Sequence, residues 1–317
     1  MSEIAVLGAG AWGIALAIQA ARAGNDVMLW ARSGADRIGE TRESPRLPGF
    51  ALPEQVRVTG DIGLLSGMAV AAVPTQALRV VLAAVTNVRE LVICAKGIEA
   101  GTLRLPLEIA AEVQPKTIAA VLTGPNFAHE IASGQPAAAV VASLDQPLRE
   151  AVMARLATPA FRLYGSDDPI GAQLGGAAKN VIAIAAGAVT GAGLGENARA
   201  ALITRGLAEL ARLTVALGGR AETVMGLSGL GDLLLTCTGV ASRNFSLGLA
   251  LGQGESLAEI LASRHAVTEG VTTAPALAAR AQGVDMPICE AVAALLEGRT
   301  TLREAIVALL ARPRRNE

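Results

Sequence analysis

Lys179 has the setting of a residue that moves protons. It stands in the run Gly175-Gly176-Ala177-Ala178-Lys179-Asn180-Val181-Ile182-Ala183-Ile184, where its neighbours are small or apolar. On a buried helix face, desolvation together with a nearby cation disfavours the ammonium and lowers its pKa from about 10.4 toward the range useful at neutrality. The chemistry that results is general acid/base catalysis; a side chain that reaches solvent from the helix edge is the alternative. Asp232 follows the glycine-rich run Gly226 to Gly231, which lets the chain approach another segment closely, or it caps the segment Leu233 to Leu235. Ser242-Arg243-Asn244 offers a hydroxyl, a forked cation and an amide, a set suited to a phosphate and equally to capping a helix that begins near Phe245. Lys96, in Cys94-Ala95-Lys96-Gly97, follows a strand end and suits either an anionic ligand or a structural ion pair.

Gly8-Ala9-Gly10-Ala11-Trp12-Gly13 follows the apolar strand Ile4 to Leu7 and opens the helical pattern Ile14 to Ala23, the context that a dinucleotide fingerprint requires. Gly8 permits the tight turn, Gly10 lets a pyrophosphate approach the backbone, and Gly13 allows close helix packing, while the helix N-terminus presents free N–H groups to the anion. Trp12 either covers the cofactor or packs beneath the loop. The second strand ends Leu29-Trp30-Ala31-Arg32, without the acid that binds ribose hydroxyls in NAD-selective sites. Arg32, with Arg37 nearby, suits a 2′-phosphate, so NADP(H) is preferred over NAD(H), with a solvated surface arginine as the alternative. Val73-Pro74-Thr75-Gln76 ends another strand, as a ligand-facing loop or as a plain turn. His129 and His265 lie in separate segments without a triad or metal arrangement and are not read as catalytic.

The elements that position these residues change character along the chain. Short aliphatic strands at Ile4 to Leu7, Val27 to Trp30, Ala69 to Val73, Leu91 to Cys94, Thr117 to Leu122 and Ala137 to Ala142 alternate with helical stretches, which predicts a mostly parallel sheet covered by helices. Beyond Asp168 the chain reads as all-α, beginning with a long Ala-rich helical region from Gln173 to Leu217 and continuing at Leu257 to Leu261 and Ala274 to Gln282. Turn residues at Ser166-Asp167-Asp168-Pro169 set the boundary between an expected dinucleotide-binding domain, 1–166, and a helical substrate domain, 167–317.

The 317 residues allow about two domains, and a 52% apolar content supplies their cores. With 27 basic against 28 acidic side chains, the net charge of −1 offers no broad footprint for nucleic acid or anionic lipid. A mean hydropathy of +0.46 comes largely from Ala and Gly in runs interrupted by Lys179, Asn180 or Glu196, so no membrane span is expected. Cys94, Cys237 and Cys289 lack metal-ligand spacing and read as buried thiols of a reducing compartment, with no metal site. The early strand leaves no room for a cleaved signal, giving a cytoplasmic expectation. The basic tail Arg312-Pro313-Arg314-Arg315 is a solvated terminus. Ala/Gly-rich helices that pack closely also allow a homodimer.

Several tracts, in shared order, carry a resemblance: Gly8 to Gly13, Leu47-Pro48-Gly49 with Leu52-Pro53, Ala95 to Glu99, Thr123-Gly124-Pro125-Asn126-Phe127-Ala128-His129-Glu130, Ala178-Lys179-Asn180, Thr204-Arg205-Gly206, Gly229 to Asp232, Ser242-Arg243-Asn244 and Glu269-Gly270. Together they resemble the NAD(P)-dependent sn-glycerol-3-phosphate dehydrogenases of the bacterial, soluble type. The resemblance implies an α/β fold, with an N-terminal Rossmann-like domain followed by an all-α domain of the 6-phosphogluconate-dehydrogenase-like type. It implies reversible reduction of dihydroxyacetone phosphate to sn-glycerol 3-phosphate, a precursor of membrane phospholipids, with hydride passing from nicotinamide C4 to the C2 carbonyl. By the same resemblance Lys179 exchanges the proton, with Lys96 and Asp232 as its catalytic partners. Lys96, Gly124, Asn126, Lys179, Asp232, Ser242, Arg243 and Asn244 match substrate positions. Gly8, Gly10, Ala11, Trp12, Gly13, Arg32, Lys96, Ala128, Arg243, Val267 and Glu269 match cofactor positions. The sequence departs from the family at Ala11, often Ser or Thr, at Asn126, commonly Ser, and at Arg46, often aromatic. A β-hydroxyacid or ketopantoate-type reductase and a non-catalytic NADP(H)-binding regulator are the competing expectations.

Overall fold

The computed structural model describes residues 3–264 and 267–313; His265, Arg314 and Arg315 lie outside the described residues. The chain divides into two compact units, one of Met1–Lys96 with Arg104–Gln173 and one of Gly97–Leu103 with Leu174–Glu317.

The first unit is built on one sheet of eight strands: β1 (Glu3–Leu7), β2 (Asp26–Trp30), β3 (Val56–Thr59), β4 (Ser66–Ala71), β5 (Asn87–Ile93), β6 (Ile118–Thr123), β7 (Ala137–Ala142) and β8 (Phe161–Ser166). Their order is β3-β2-β1-β4-β5-β6-β7-β8. All neighbours run parallel except β6 and β7. A parallel sheet is covered on both faces, which is why Ile4 to Leu7, Met68 to Ala71 and Leu91 to Ile93 are apolar without alternation and buried throughout. The order reverses between β1 and β4, where the chain first runs back through β2 to β3 and then forward to β8. Such a switch point opens a crevice beyond the carboxyl ends of the strands.

Two strands, β3 and β8, are absent from the sequence reading. Both are sheet edges, and in each only the first residue is fully buried, so the apolar signal that marks a strand is diluted by solvent-facing side chains. The expected helical run from Gln173 to Leu217 is two helices, Pro169–Gly191 and Glu196–Ala216. The break falls where Gly193 (φ +69°) and Gly195 (φ +86°) adopt left-handed backbone. Pro169–Gly191 is long and apolar enough to cross a membrane, but 89% of its most apolar window is buried in protein, as in a core helix.

In the second unit that helix meets Arg243–Gly252 backbone to backbone. A β-carbon on Gly187 would stand 2.0 Å from the Phe245 carbonyl oxygen, and one on Gly191 2.1 Å from that of Leu249. Reciprocally, a β-carbon on Gly248 would meet the Ile184 oxygen at 1.9 Å, and one on Gly252 the Ala188 oxygen at 2.4 Å. Two Gly-x-x-x-Gly pairs therefore face each other, since residues four apart share a helix face. No side chain larger than hydrogen fits at any of the four positions.

Gly248→Ala is therefore expected to destabilise the protein by about 3 kcal/mol or more, the cost of overpacking a contact that cannot open without separating two helices. Gly239→Ala, where a β-carbon meets nothing within 4 Å, should stay within about 0.5 kcal/mol of the parent. Urea denaturation of the two variants checks the contrast.

Candidate active site

The turn after β1 has the shape a pyrophosphate needs. Gly8 holds φ +108°, and a β-carbon on Gly13 would lie 1.8 Å from the Gly8 carbonyl oxygen, so the turn closes only with glycine at both positions. A β-carbon on Gly10 would meet nothing within 4 Å, leaving open space over the turn. The helix Ala11–Arg22 that follows has no side-chain cap and no acid in its first turn, so its N–H groups and dipole are available to an anion. These residues fit a dinucleotide.

Cys94, just past β5, is buried, and burial pushes its thiol up to about 12 against the pull of the Lys96 charge. Lys96, half-buried at the end of β5, donates from Nζ to the Gly124 carbonyl at 3.0 Å. Gly124 holds φ +148°, with a β-carbon position 3.0 Å from the Ala139 α-carbon. Asn126 Nδ2 donates to the Ala138 carbonyl at 3.2 Å, and its buried Oδ1 has no hydrogen-bond partner. Lys96 and Gly124, 28 positions apart, thus meet beyond the ends of β5 and β6, with Asn126 beside Gly124. Ala128 opens the helix Ala128–Ser133 directly after them. Arg32 and Arg37 are both exposed past the end of β2, and Arg46 is exposed in the loop that follows. His129 is exposed and stacks on Phe127 with ring centroids 5.8 Å apart, outside this cluster.

The second unit holds the buried amine. Lys179 Nζ donates to Asp232 Oδ1 at 2.5 Å and to Thr236 Oγ1 at 3.0 Å, and the Thr236 hydroxyl donates to the Asp232 carbonyl at 2.6 Å. The side chains of Lys179 and Asp232 are 10% and 1% exposed. Burial of Lys179 is as expected, but the nearby cation that the sequence reading invoked is replaced by a carboxylate. An opposite charge favours the ammonium, while desolvation opposes it. Asp232 begins the helix Asp232–Cys237 after a wide turn at Leu227–Gly231, in which a β-carbon on Gly229 would sit 2.0 Å from the Val224 carbonyl oxygen. Cys237 lies beside the pair, and its thiol is pushed up to about 12, mainly by burial.

The Ser242-Arg243-Asn244 trio does structural work as well. Ser242 Oγ accepts the Phe245 N–H and caps the helix Arg243–Gly252. Asn244 Nδ2 donates to Asn180 Oδ1 at 2.9 Å, and its Oδ1 accepts the Gly270 N–H at 3.0 Å. One N–H of that amide therefore remains for other partners. Arg243 donates to the Val267 carbonyl at 2.8 Å, which brings together two residues expected at the cofactor, with Glu269 two positions on. Thr236 and Asn180 are the contacts that the sequence reading left unassigned. The spacing Asp232 to Thr236 places both on one helix face and was the available signal.

A switched parallel sheet with a glycine-rich first turn, joined in one chain to a helical unit that buries a lysine–aspartate pair, defines a dinucleotide-dependent dehydrogenase. The model of the NAD-dependent glycerol-3-phosphate dehydrogenase N-terminus matches residues 3–149, that of the C-terminus matches 168–307, and the chain belongs to this family. A glycerol-3-phosphate dehydrogenase [NAD(P)+] of Gluconobacter oxydans (strain 621H) is 52% identical over 98% of this chain and 97% of its own. Another, of Erythrobacter litoralis (strain HTCC2594), is 50% identical over 100% and 98%. The crystal structure of glycerol-3-phosphate dehydrogenase from Coxiella burnetii superposes with a TM-score of 0.92 at 36% identity, covering 98% of this chain and 99% of that one. A ketopantoate reductase from Ralstonia eutropha reaches a TM-score of 0.58 at 17% identity over 93% of this chain and 97% of that one, a likeness of fold alone.

Truncating one member of the buried pair strands the other's charge. Asp232→Ala is expected to cost about 3 kcal/mol. Adding Lys179→Met should recover a measurable part of that loss, and a double-mutant cycle in urea reads the coupling.

Proposed function

We propose that the protein catalyses the reversible reduction of dihydroxyacetone phosphate to sn-glycerol 3-phosphate, the glycerol unit of glycerophospholipids. The observation that carries the reading is the buried Lys179–Asp232–Thr236 cluster in a chain of this family. When bound, the nicotinamide ring supplies the hydride that turns the ketone into an alcohol.

The chain's own residues have the remaining work. Gly8 makes the tight turn, its own N–H bonded to the Trp30 carbonyl, and Gly10, Ala11, Trp12 and Gly13 would hold the pyrophosphate at the helix N-terminus, while exposed Arg32 would meet the 2′-phosphate, which favours NADP(H) and leaves NAD(H) usable. Lys179 gives its Nζ proton to the carbonyl oxygen and is reprotonated for the next turnover, while Asp232 and Thr236 hold the ammonium in one orientation. Lys96 balances the charge that develops on that oxygen. Arg243, with Ser242 and the spare N–H of Asn244, anchors the phosphate remote from the reacting carbon, so that binding energy is spent on alignment. Gly124 and Asn126 complete the substrate contacts, and Ala128, Val267 and Glu269 those to the cofactor. Residues 1–166 and 167–317 are assigned as the cofactor and substrate domains. The substrate is soluble and phosphorylated, which suits a cytoplasmic enzyme. The apolar Val307 and Leu310, exposed together on the last described helix, support a homodimer.

Two measurements test the reading. A panel pairing NADPH and NADH with dihydroxyacetone phosphate and with dihydroxyacetone should show turnover that requires the phosphate and prefers NADPH. Lys179→Ala should lose roughly 10² to 10⁴ in kcat while NADPH binding stays near that of the parent. Comparable turnover in the variant would remove Lys179 from its role.

A further inference from the structure

Arg243 and Asn244, the first two residues of the helix Arg243–Gly252, are stapled by three hydrogen bonds to Arg264, Val267 and Gly270, residues 21, 24 and 26 positions away from their partners. Arg264 Nη1 donates to the Arg243 carbonyl at 2.9 Å, Arg243 Nη1 donates to the Val267 carbonyl at 2.8 Å, and the Gly270 N–H donates to Asn244 Oδ1 at 3.0 Å. The first two bonds are reciprocal, each arginine giving its guanidinium to main chain on the opposite side. Val267 is exposed, so burial of its own side chain does not fix the carbonyl that holds Arg243. The place of that carbonyl is set by the bonds on either side of it, from Arg264 and from Gly270. Arg264 stands where a cation is disfavoured. The helix has no acid in its first turn, so its dipole opposes a second guanidinium beside Arg243. Burial also lowers the Arg264 pKa from its ordinary value, against the pull of the Glu255 carboxylate. An anion bound at this helix start would offset both costs.

We infer that Arg264 is a positioning residue for Arg243: by bonding the Arg243 carbonyl it ties the chain ahead of Val267 to the helix start, and so holds in place the Val267 carbonyl that orients the Arg243 guanidinium toward the substrate phosphate. This rests on Arg243 being the phosphate anchor. A long exposed side chain that is fixed before its ligand arrives loses less rotamer freedom on binding, and affinity rises accordingly. Arg264 acts on main chain, so its effect passes through Arg243.

The experiment compares the full-length protein with its Arg264→Ala, Arg264→Lys and Arg243→Ala variants and with the Arg243→Ala, Arg264→Ala double variant, using urea midpoints to verify folding. Calorimetry reads the Kd of dihydroxyacetone phosphate in the NADP+ complex, in which no hydride can be transferred, and steady-state kinetics reads KM and kcat. Arg264→Ala is expected to raise Kd and KM by about threefold to tenfold, the range for one lost hydrogen bond, with kcat changed less. Arg264→Lys, which keeps a donor for the Arg243 carbonyl, should recover part of that loss. In the Arg243→Ala background the Arg264→Ala substitution should add nothing, because the residue through which it acts is gone. A folded Arg264→Ala protein with the parental Kd overturns the proposal, as does an Arg264→Ala effect that persists undiminished without Arg243, which would give Arg264 a direct contact or a general structural role. If Arg264→Ala does not fold, Arg264→Lys taken through the same cycle decides by the same criteria. A parental Kd in Arg243→Ala overturns the assignment of Arg243 as phosphate anchor, and the proposal with it.

Discussion

Burying an ammonium against a carboxylate is the commitment around which the helical unit is organised. Taking Lys179 and Asp232 out of water costs several kcal/mol per ion, and their attraction offsets this only if the remaining hydrogen-bonding capacity is also met. Thr236 meets part of it, accepting from the amine and donating to the Asp232 main chain, so that the three residues are linked across two helices. The low exposure of the amine keeps its position narrow.

Beside that cluster, spacing is set by backbone contact. The Gly187–Gly191 and Gly248–Gly252 pairs let the helix that carries Lys179 and the helix that carries Asn244 touch without intervening side chains. At that separation the amide of Asn244 reaches Asn180 and Gly270 together, fastening three segments within one residue of the lysine. The first unit uses the same means at its nucleotide turn, where Gly13 packs against the Gly8 carbonyl, and at Gly124, which lies flat against β7. Small residues in this chain therefore mark places where distance is set, and large apolar ones the places where volume is filled.

These contrasts explain what was legible before the fold was known. The glycine turn was readable because its requirements are local: a strand, a tight turn and a helix start within a few residues. The central strands were readable because a sheet covered on both faces demands unbroken apolar runs. The edges β3 and β8 were not, since only the first residue of each is buried. Lys179 could be singled out by its apolar neighbours, but its partner lies 53 positions away, and an isolated sequence gives no sign of whether the nearest charge is a cation or an acid. The double use of Ser242 and Asn244, as cap and as clasp, was equally hidden, because a helix cap and a phosphate ligand call for the same residue types.

The seam between the two glycine-bearing helices also limits how this lineage can drift. Every amino acid that replaces glycine is larger, so any missense change at those four codons pushes the helices apart and carries Asn244 away from Asn180. Selection there is binary, with no graded series of intermediates. Variation must therefore enter through loops and open positions such as Gly239, where a β-carbon meets nothing within 4 Å, while the spacing of the helices stays fixed.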